Sequence, residues 1–302
     1  MNPFEPSFRQ CELCPRTCGV DRLDGRQGYC KAGADVEVYR YGSHHGEEPP
    51  ISGTKGSGTI FFSRCTLRCL FCQNYPWSQE GQGHTVGQDG LVAIFEALFR
   101  EGCHNWNLVS PTPWLPWIYE AWSRVVAKGM KCPVVYNTSG FERVETLRNL
   151  TGWVNVYLTD LRYALPESAK EGSDSAGYVE QARLALREMW RQTGPLELDD
   201  DGIAKRGTLC RLLVLPGRAA EAVANLEWLA GAVGTQIPVS VMAQYTPAYK
   251  AVNEAPWNRR PTEEEYGFVV EAVERLGFEA GWVQEYETPT PDNLVGFKMS
   301  PA

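Results

Sequence analysis

Apolar runs of strand length recur along the chain at Gly58–Phe62, Trp106–Val109, Val134–Tyr136, Val154–Leu158, Leu209–Leu215, Val239–Ala243 and Gly281–Val283. Between them the pattern changes to a helical period, at Gly90–Arg100, Leu115–Ala127, Phe141–Asn149, Tyr178–Arg191, Arg218–Ala232 and Thr262–Arg275, where apolar residues return every three or four positions. A strand that is apolar throughout needs cover on both faces, so these runs predict parallel strands joined by crossover helices. About six such units are too few to close an eightfold barrel. The expected fold is therefore α/β, a partial (β/α)6 barrel, with reactive side chains just beyond the carboxyl ends of the strands.

Two segments fall outside this alternation. Residues 1–35 carry Cys11, Cys14, Cys18 and Cys30 among the turn residues Pro15, Gly19, Gly25, Gly28 and Gly33, with little apolar material. Such a segment buries too little surface to fold alone, and four thiolates would close a tetrahedral site, for zinc, a single iron or an auxiliary iron–sulfur cluster. The barrel is expected over 36–288 and an extended tail, rich in proline, over 289–302. The acidic run Asp199-Asp200-Asp201 within the polar stretch Thr193–Gly207 reads as a solvated loop.

Composition narrows the partners. A net charge of −8 over 302 residues, with no basic run, argues against nucleic acid or an anionic membrane. Met1–Gln10 has no charged-then-apolar signal pattern, and no window approaches about eighteen consecutive apolar residues. A cytoplasmic protein is expected. Of its ten cysteines, the four in the first segment and the three at 65, 69 and 72 read as reduced metal ligands, while Cys103, Cys132 and Cys210 read as core or loop thiols.

Cys65, Cys69 and Cys72 follow directly on the strand Gly58-Thr59-Ile60-Phe61-Phe62. Three thiolates can hold three irons of a [4Fe–4S] cluster and leave the fourth iron open to a ligand. The spacing Cys-x3-Cys-x-Phe-Cys on a loop after an apolar strand resembles the radical S-adenosylmethionine (radical SAM) superfamily. That resemblance implies that the open iron chelates SAM and that the bound cofactors generate a 5′-deoxyadenosyl radical, which abstracts a hydrogen atom from a substrate. It also implies roles for the other strand ends. Phe71 would pack on the adenine, Ser110 and Thr112 would meet the amino group of SAM, and Asn137, Ser139 and Asp160 suit its ribose. Arg162 would pair with the methionyl carboxylate. Arg211, a cation on an apolar strand, needs a carboxylate from SAM or from the protein. Gln244, with Tyr245, would face the substrate, and His44 and His45 are expected in a loop over the barrel mouth.

Cys-Glu-Leu-Cys-Pro-Arg-Thr-Cys-Gly-Val at 11–20, with the segments 53–74, 105–113, 154–163 and 242–249, resembles the pyruvate formate-lyase activating enzyme-like, PflX-type branch of that superfamily. The branch name implies a glycyl residue of a partner enzyme as substrate and a flavodoxin- or ferredoxin-type electron donor. Another peptide or a small molecule as substrate, or a non-catalytic iron–sulfur electron carrier, are the alternatives. Three positions depart from the family pattern: Arg64 where glycine is usual, Arg162 where lysine is commoner, and Pro113 in place of histidine.

Overall fold

The computed structural model describes residues 2–286, so the expected tail at 289–302 lies outside the described residues. After the first segment, strand β1 (Glu37–His44), the short helix α1 (Pro49–Ser52) and β2 (Ser57–Phe62) form an antiparallel unit. The cysteine loop follows, then α2 (Tyr75–Ser78) and the two-residue β3 (His84–Thr85). From there strands and helices alternate: α3 (Gly87–Arg100), β4 (Trp106–Val109), α4 (Leu115–Ala127), β5 (Val134–Thr138), α5 (Val144–Arg148) and β6 (Val156–Asp160). The remainder comprises α6 (Pro166–Ser173), α7 (Tyr178–Thr193), β7 (Glu197–Leu198), β8 (Ala204–Leu213), α8 (Ala219–Ala232), β9 (Val239–Met242), α9 (Glu263–Leu276) and β10 (Gly281–Val283).

The strand order is β10-β9-β8-β6-β5-β4-β2-β1-β3, and every pairing from β2 to β10 is parallel. The two edges do not pair with each other, so this is an open, partial (β/α) barrel. Three expectations needed adjustment. β1 was not foreseen, because an edge strand reading Glu-Val-Tyr-Arg-Tyr-Gly-Ser-His has no continuous apolar run. β8 begins at Ala204 rather than Leu209, because β7 pairs with its first residues, and the acidic run forms the turn between them. In that turn Asp199 Oδ1 accepts the backbone N–H groups of Asp201 and Ile203 at 3.1 and 2.9 Å. The third change is the late start of α5. Gly140 stands at φ +81°, where a Cβ would lie 2.4 Å from the Asp160 carbonyl oxygen, so the chain must turn there before a helix can begin.

Inward and outward positions alternate with period two, as strand geometry requires. Ile60, Leu108, Tyr136 and Tyr157 face one outer helix layer, and Cys210, Leu212, Val239 and Val241 face another. The inward positions form layers. At the floor, Ile51 of α1 enters the barrel and packs on Val135, Val156, Leu158 and Leu209. Asn105 anchors it, donating Nδ2–H to the Ile51 carbonyl at 2.7 Å. Above lies a polar layer, and above that the cavity described below.

The first 35 residues have little core of their own and are docked on the barrel's. Phe4, Leu13 and Ala32 join the cluster around α3 and α4, and Phe8 meets Trp117 edge-on at 4.3 Å. Arg22, only 1% exposed, donates to the Gly33 carbonyl at 3.0 and 2.7 Å and to the Pro113 carbonyl at 2.5 Å. Its guanidinium lies 5.2 and 4.8 Å from the ring centres of Trp114 and Trp117. Among the described residues it has no carboxylate partner within salt-bridge distance; carbonyls and aromatic faces satisfy the charge.

Arg22→Ala should therefore lower unfolding stability by about 3 kcal/mol, since it removes charge-assisted hydrogen bonds and two cation–π contacts. Chemical denaturation of the full chain measures this. An unchanged midpoint would show that docking of the first segment adds nothing to the barrel.

Candidate functional site

A cavity of about 330 Å³ opens at the carboxyl ends of the parallel strands. Its wall includes Cys65, Cys69 and Cys72 from the loop after β2, and strand-end residues of β4, β5, β6, β8 and β9. Arg64 enters this loop at φ +73°, the left-handed region that favours glycine. Its guanidinium turns away to Glu37, at 2.7 and 3.2 Å. The cation at this unusual position is thus paired with a carboxylate. The loop is tied to the end of α6 by Leu70 N–H to the Gly172 carbonyl, 3.0 Å.

Each of the three cysteine sulfurs has a polar neighbour, for Cys65 the backbone N–H of Leu67. Ser173 Oγ lies 2.9 Å from Cys69 Sγ, Ser78 Oγ lies 3.1 Å from Cys72 Sγ, and Arg162 Nη1–H points at Cys69 Sγ over 3.1 Å. Burial, and then the neighbouring Cys69, push the Cys65 thiol up to about 11 and the Cys72 thiol up to about 12. A cationic centre bound by these thiols would take them as thiolates, and their protons would pass to solvent on binding. Among the described residues, no three His, Cys, Asp or Glu side chains converge as a cage for one metal ion. A cluster makes a different demand, because each thiolate bonds its own iron. Three thiols on one cavity wall, with O–H and N–H donors behind them, fit that donor set.

The candidate residues divide into those the fold brings to this cavity and those it does not. Phe71, Ser110, Asn137, Ser139, Asp160, Arg162, Arg211 and Gln244 all line it, as does Tyr245. Phe71 is stacked on Trp257 at 5.3 Å. Ser110 is another non-glycine residue at positive φ, +54°. Gln244 receives the Gln73 amide on its carbonyl at 3.1 Å. Thr112 does not line the cavity; its Oγ1 bonds Glu142 Oε1 at 2.6 Å and lies 3.0 Å from the Tyr136 hydroxyl. Asp160 and Arg162 bind each other, at 3.1 and 2.6 Å.

Arg211 finds its carboxylates within the protein. Its Nε–H and Nη2–H grip both oxygens of Glu48 at 2.7 and 2.6 Å, and Nη2 also meets Glu47. Glu47 Oε1 accepts Asn107 Nδ2–H at 2.9 Å and Asn137 Nδ2–H at 3.2 Å. Burial alone would raise the Glu48 carboxyl, yet the Arg211 guanidinium holds it below the usual carboxylate range. These acids precede α1 and rise from the floor. His44 and His45 follow from β1 at the amino ends of the strands, where His44 pairs with Ser57, yet the His44 side chain lines the cavity, its ring 5.9 Å from that of Phe61. The sequence signal for this layer was present in Thr59, Asn107, Asn137, Arg211 and Ser240, polar residues at alternate positions on apolar strands.

Glu142 escaped the sequence reading. It is 1% exposed, and Oε1 accepts the hydroxyls of Thr112 and Thr138 at 2.6 and 2.5 Å while the buried Oε2 has no partner among the described residues. Asn74, on the cavity wall, likewise keeps a buried Oδ1 without a partner. The N-terminal cysteines lie apart from the cavity wall. Cys14 is buried, Cys11 and Cys30 half-buried and Cys18 exposed. Burial and then the neighbouring thiols Cys30 and Cys11 leave Cys14 raised.

No protein-family model matches the chain. The uncharacterized protein MJ0674 of Methanocaldococcus jannaschii is 27% identical over 281 residues, which span 90% of this chain and 76% of that one. Among solved structures, native anSMEcpe with bound AdoMet and Kp18Cys peptide aligns with a TM-score of 0.50 at 11% identity, over 73% of this chain and 60% of that one. Streptococcus suis SuiB bound to precursor peptide SuiA aligns with a TM-score of 0.48 at 10% identity, over 74% of this chain and 47% of that one. The chain thus spans less than two-thirds of the length of these solved structures. The likeness to anSMEcpe is one of fold.

Glu142 generates a pH prediction. Burial raises its carboxyl to about 7, against the downward pull of the Thr112, Thr138 and Tyr136 hydroxyls. The folded chain holds this proton more tightly than the unfolded one, so the stabilisation is complete below the unfolded value near ~4.3 and is lost as pH rises through about 7. Relative to Glu142→Gln, the parent should lose about 3 kcal/mol of unfolding free energy between roughly pH 4.5 and 8. Parallel stability curves for the two proteins would show that Glu142 titrates as an ordinary carboxyl.

Proposed function

We propose that this chain is a radical SAM enzyme. Cys65, Cys69 and Cys72 hold a [4Fe–4S] cluster, SAM lies in the adjoining cavity, and a hydrogen atom is abstracted from a substrate that reaches the cavity at its mouth. One observation carries the reading: three thiols of a single loop stand on the wall of the cavity that the polar strand ends also line. When bound, the cluster and SAM would supply the reducing electron and the 5′-deoxyadenosyl radical. The chain's own residues supply position and shelter. About 330 Å³ is room for one small molecule. The buried Asn74 Oδ1 offers an acceptor to a ligand N–H, and Ser110, Asn137, Ser139, Asp160 and Gln244 offer further polar contacts. Arg162, held by Asp160, presents a guanidinium N–H to Cys69 Sγ and lends positive charge beside a thiolate. Thr112 acts at one remove, through Glu142 and Thr138, on the wall next to Ser139.

The floor favours a substrate that enters from the rim. Ile51 and the Glu47–Arg211–Glu48 group fill the barrel below the cavity, which leaves little internal room beside SAM. A peptidyl substrate, such as a glycyl residue of a partner enzyme, fits this arrangement better than an engulfed small molecule. The AdoMet and peptide bound to anSMEcpe, a protein of the same fold, support the reading. The electron is assigned to a flavodoxin- or ferredoxin-type donor. Among the described residues, Cys11, Cys14, Cys18 and Cys30 share one segment but do not converge as a ready cage for a single ion, so a second metal there would have to draw them together.

Anaerobically reconstituted protein given dithionite and SAM should release 5′-deoxyadenosine and methionine. Replacement of Cys65, Cys69 and Cys72 together by Ala should abolish both this cleavage and the sulfur-to-iron charge-transfer absorption of that centre, with the N-terminal cysteines intact. Cleavage that persists in the triple variant would sink the assignment. Deuterium transfer from an α-deuterated glycyl peptide into 5′-deoxyadenosine distinguishes the glycyl substrate from others.

A further inference from the structure

The cysteine loop has a second side. It presents Cys65, Cys69 and Cys72 to the cavity, and Arg68 and Leu70 to an open groove of about 800 Å³ on the outer surface. The same groove is lined by Tyr29 and Lys31, the two neighbours of Cys30. Arg68 Nη2–H joins the segments, donating to the Tyr29 carbonyl at 2.8 Å. The groove therefore covers the seam where both cysteine-bearing segments come to the surface.

Its charge differs from that of the chain as a whole. Lys170 on its wall is paired with Asp174, and Glu171 with Arg218 at 2.6 Å. Lys31, Arg68 and Lys250 then remain against a single acid, Glu254. Among the described residues none of these three cations has a carboxylate partner; Arg68 bonds the Gln79 carbonyl and side-chain oxygen, and Lys250 lies over the Tyr249 ring at 5.3 Å. Arg16 stands behind them, 3.7 Å over the face of Tyr29, and donates to the backbone carbonyls of Thr66 and Asp174. In a chain of net charge −8, an excess of cations collected around Tyr29, Tyr249 and Trp257 is a local feature. Aromatic anchors beside three cations that lack carboxylate partners suit a protein surface that brings acidic groups to them.

We propose that this groove docks a small electron-carrier protein through that protein's acidic face. The inference rests on the radical SAM reading and adds to it the place of electron entry. One electron leaves the carrier's reduced cofactor and enters the centre held by Cys69 and its two companions. The carrier is oxidised by one electron, the centre is reduced by one, and the transfer makes and breaks no bond. Because the groove and the cavity lie on different sides of one loop, the carrier and the cavity's ligands bind at the same time.

The test uses the full chain, a flavodoxin as the acidic carrier, and the double variant Lys31→Glu/Lys250→Glu, both exposed and remote from the cavity. Titration calorimetry at low and moderate salt should show binding about tenfold weaker in the variant, with most of the salt dependence gone. Saturation of the parent with SAM should leave its flavodoxin affinity unchanged. Reduction by dithionite should proceed equally in parent and variant. Equal affinity and equal salt dependence in the two proteins would overturn the docking site, as would a parent that does not bind flavodoxin. A chain that dithionite cannot reduce overturns the enzymatic reading itself, so the two failures are distinguishable.

Discussion

Arg211 is held half-buried between two carboxylates, and this group ties the turn before α1 to strand β8 and closes the floor of the cavity. Glu47 and Glu48 arrive from the turn before α1, at the amino ends of the strands, and both are below 10% exposed at the side chain. Three charges in such a place are tolerable only when every one is paired and hydrogen-bonded. Arg211 spans both acids, and Asn107 and Asn137 take up the free oxygen of Glu47. The turn that carries these acids also places Ile51 in the apolar floor. Removing one member would strand the others as uncompensated buried charge, at a cost of about 3–5 kcal/mol. Because the group is satisfied internally, its guanidinium is committed to structure, and the cavity above it opens at the carboxyl ends of the strands.

The same rule, applied at the rim, gives a different result. Asp160 and Arg162 are only partly buried and bind each other, but Arg162 retains an Nη1–H for Cys69. The strand-end salt bridge therefore also reaches the cavity wall: the carboxylate fixes the guanidinium, and the guanidinium faces the sulfur. The lysine commoner at this position has no planar fork and could not hold both partners in one geometry. Arg64 shows the opposite use of a cation. It occupies a backbone conformation natural to glycine, and Glu37 turns its charge away from the cysteine loop.

The strands and the cysteine loop were legible because each depends on local sequence: an apolar run announces a buried strand, and three closely spaced cysteines announce their own loop. Residues whose role depends on a distant partner were not. Arg211 demanded a carboxylate, but nothing near it named Glu47 and Glu48, more than 160 positions away. Thr112 follows β4 as a site residue should, yet it turns to Glu142, a buried acid whose sequence neighbourhood, Gly-Phe-Glu-Arg, reads as an ordinary helix start. The first 35 residues looked self-contained because their apolar side chains are few. Phe4, Leu13 and the buried Arg22 complete a core that belongs to α3 and α4.

These arrangements share a division of labour set by the cysteine loop itself. A loop that follows a buried strand and is pinned to α6 must show one side to the barrel interior and the other to solvent. Cys65, Cys69 and Cys72 face inward to the cavity, Cys69 buried and the other two half-buried. Arg68 and Leu70 face outward, where Tyr29 and Lys31 of the docked first segment meet them. Docking of that segment through Arg22 therefore does more than cover apolar surface. It builds one wall of the outer groove, so the surface on the far side of the cysteine loop depends on one buried cation.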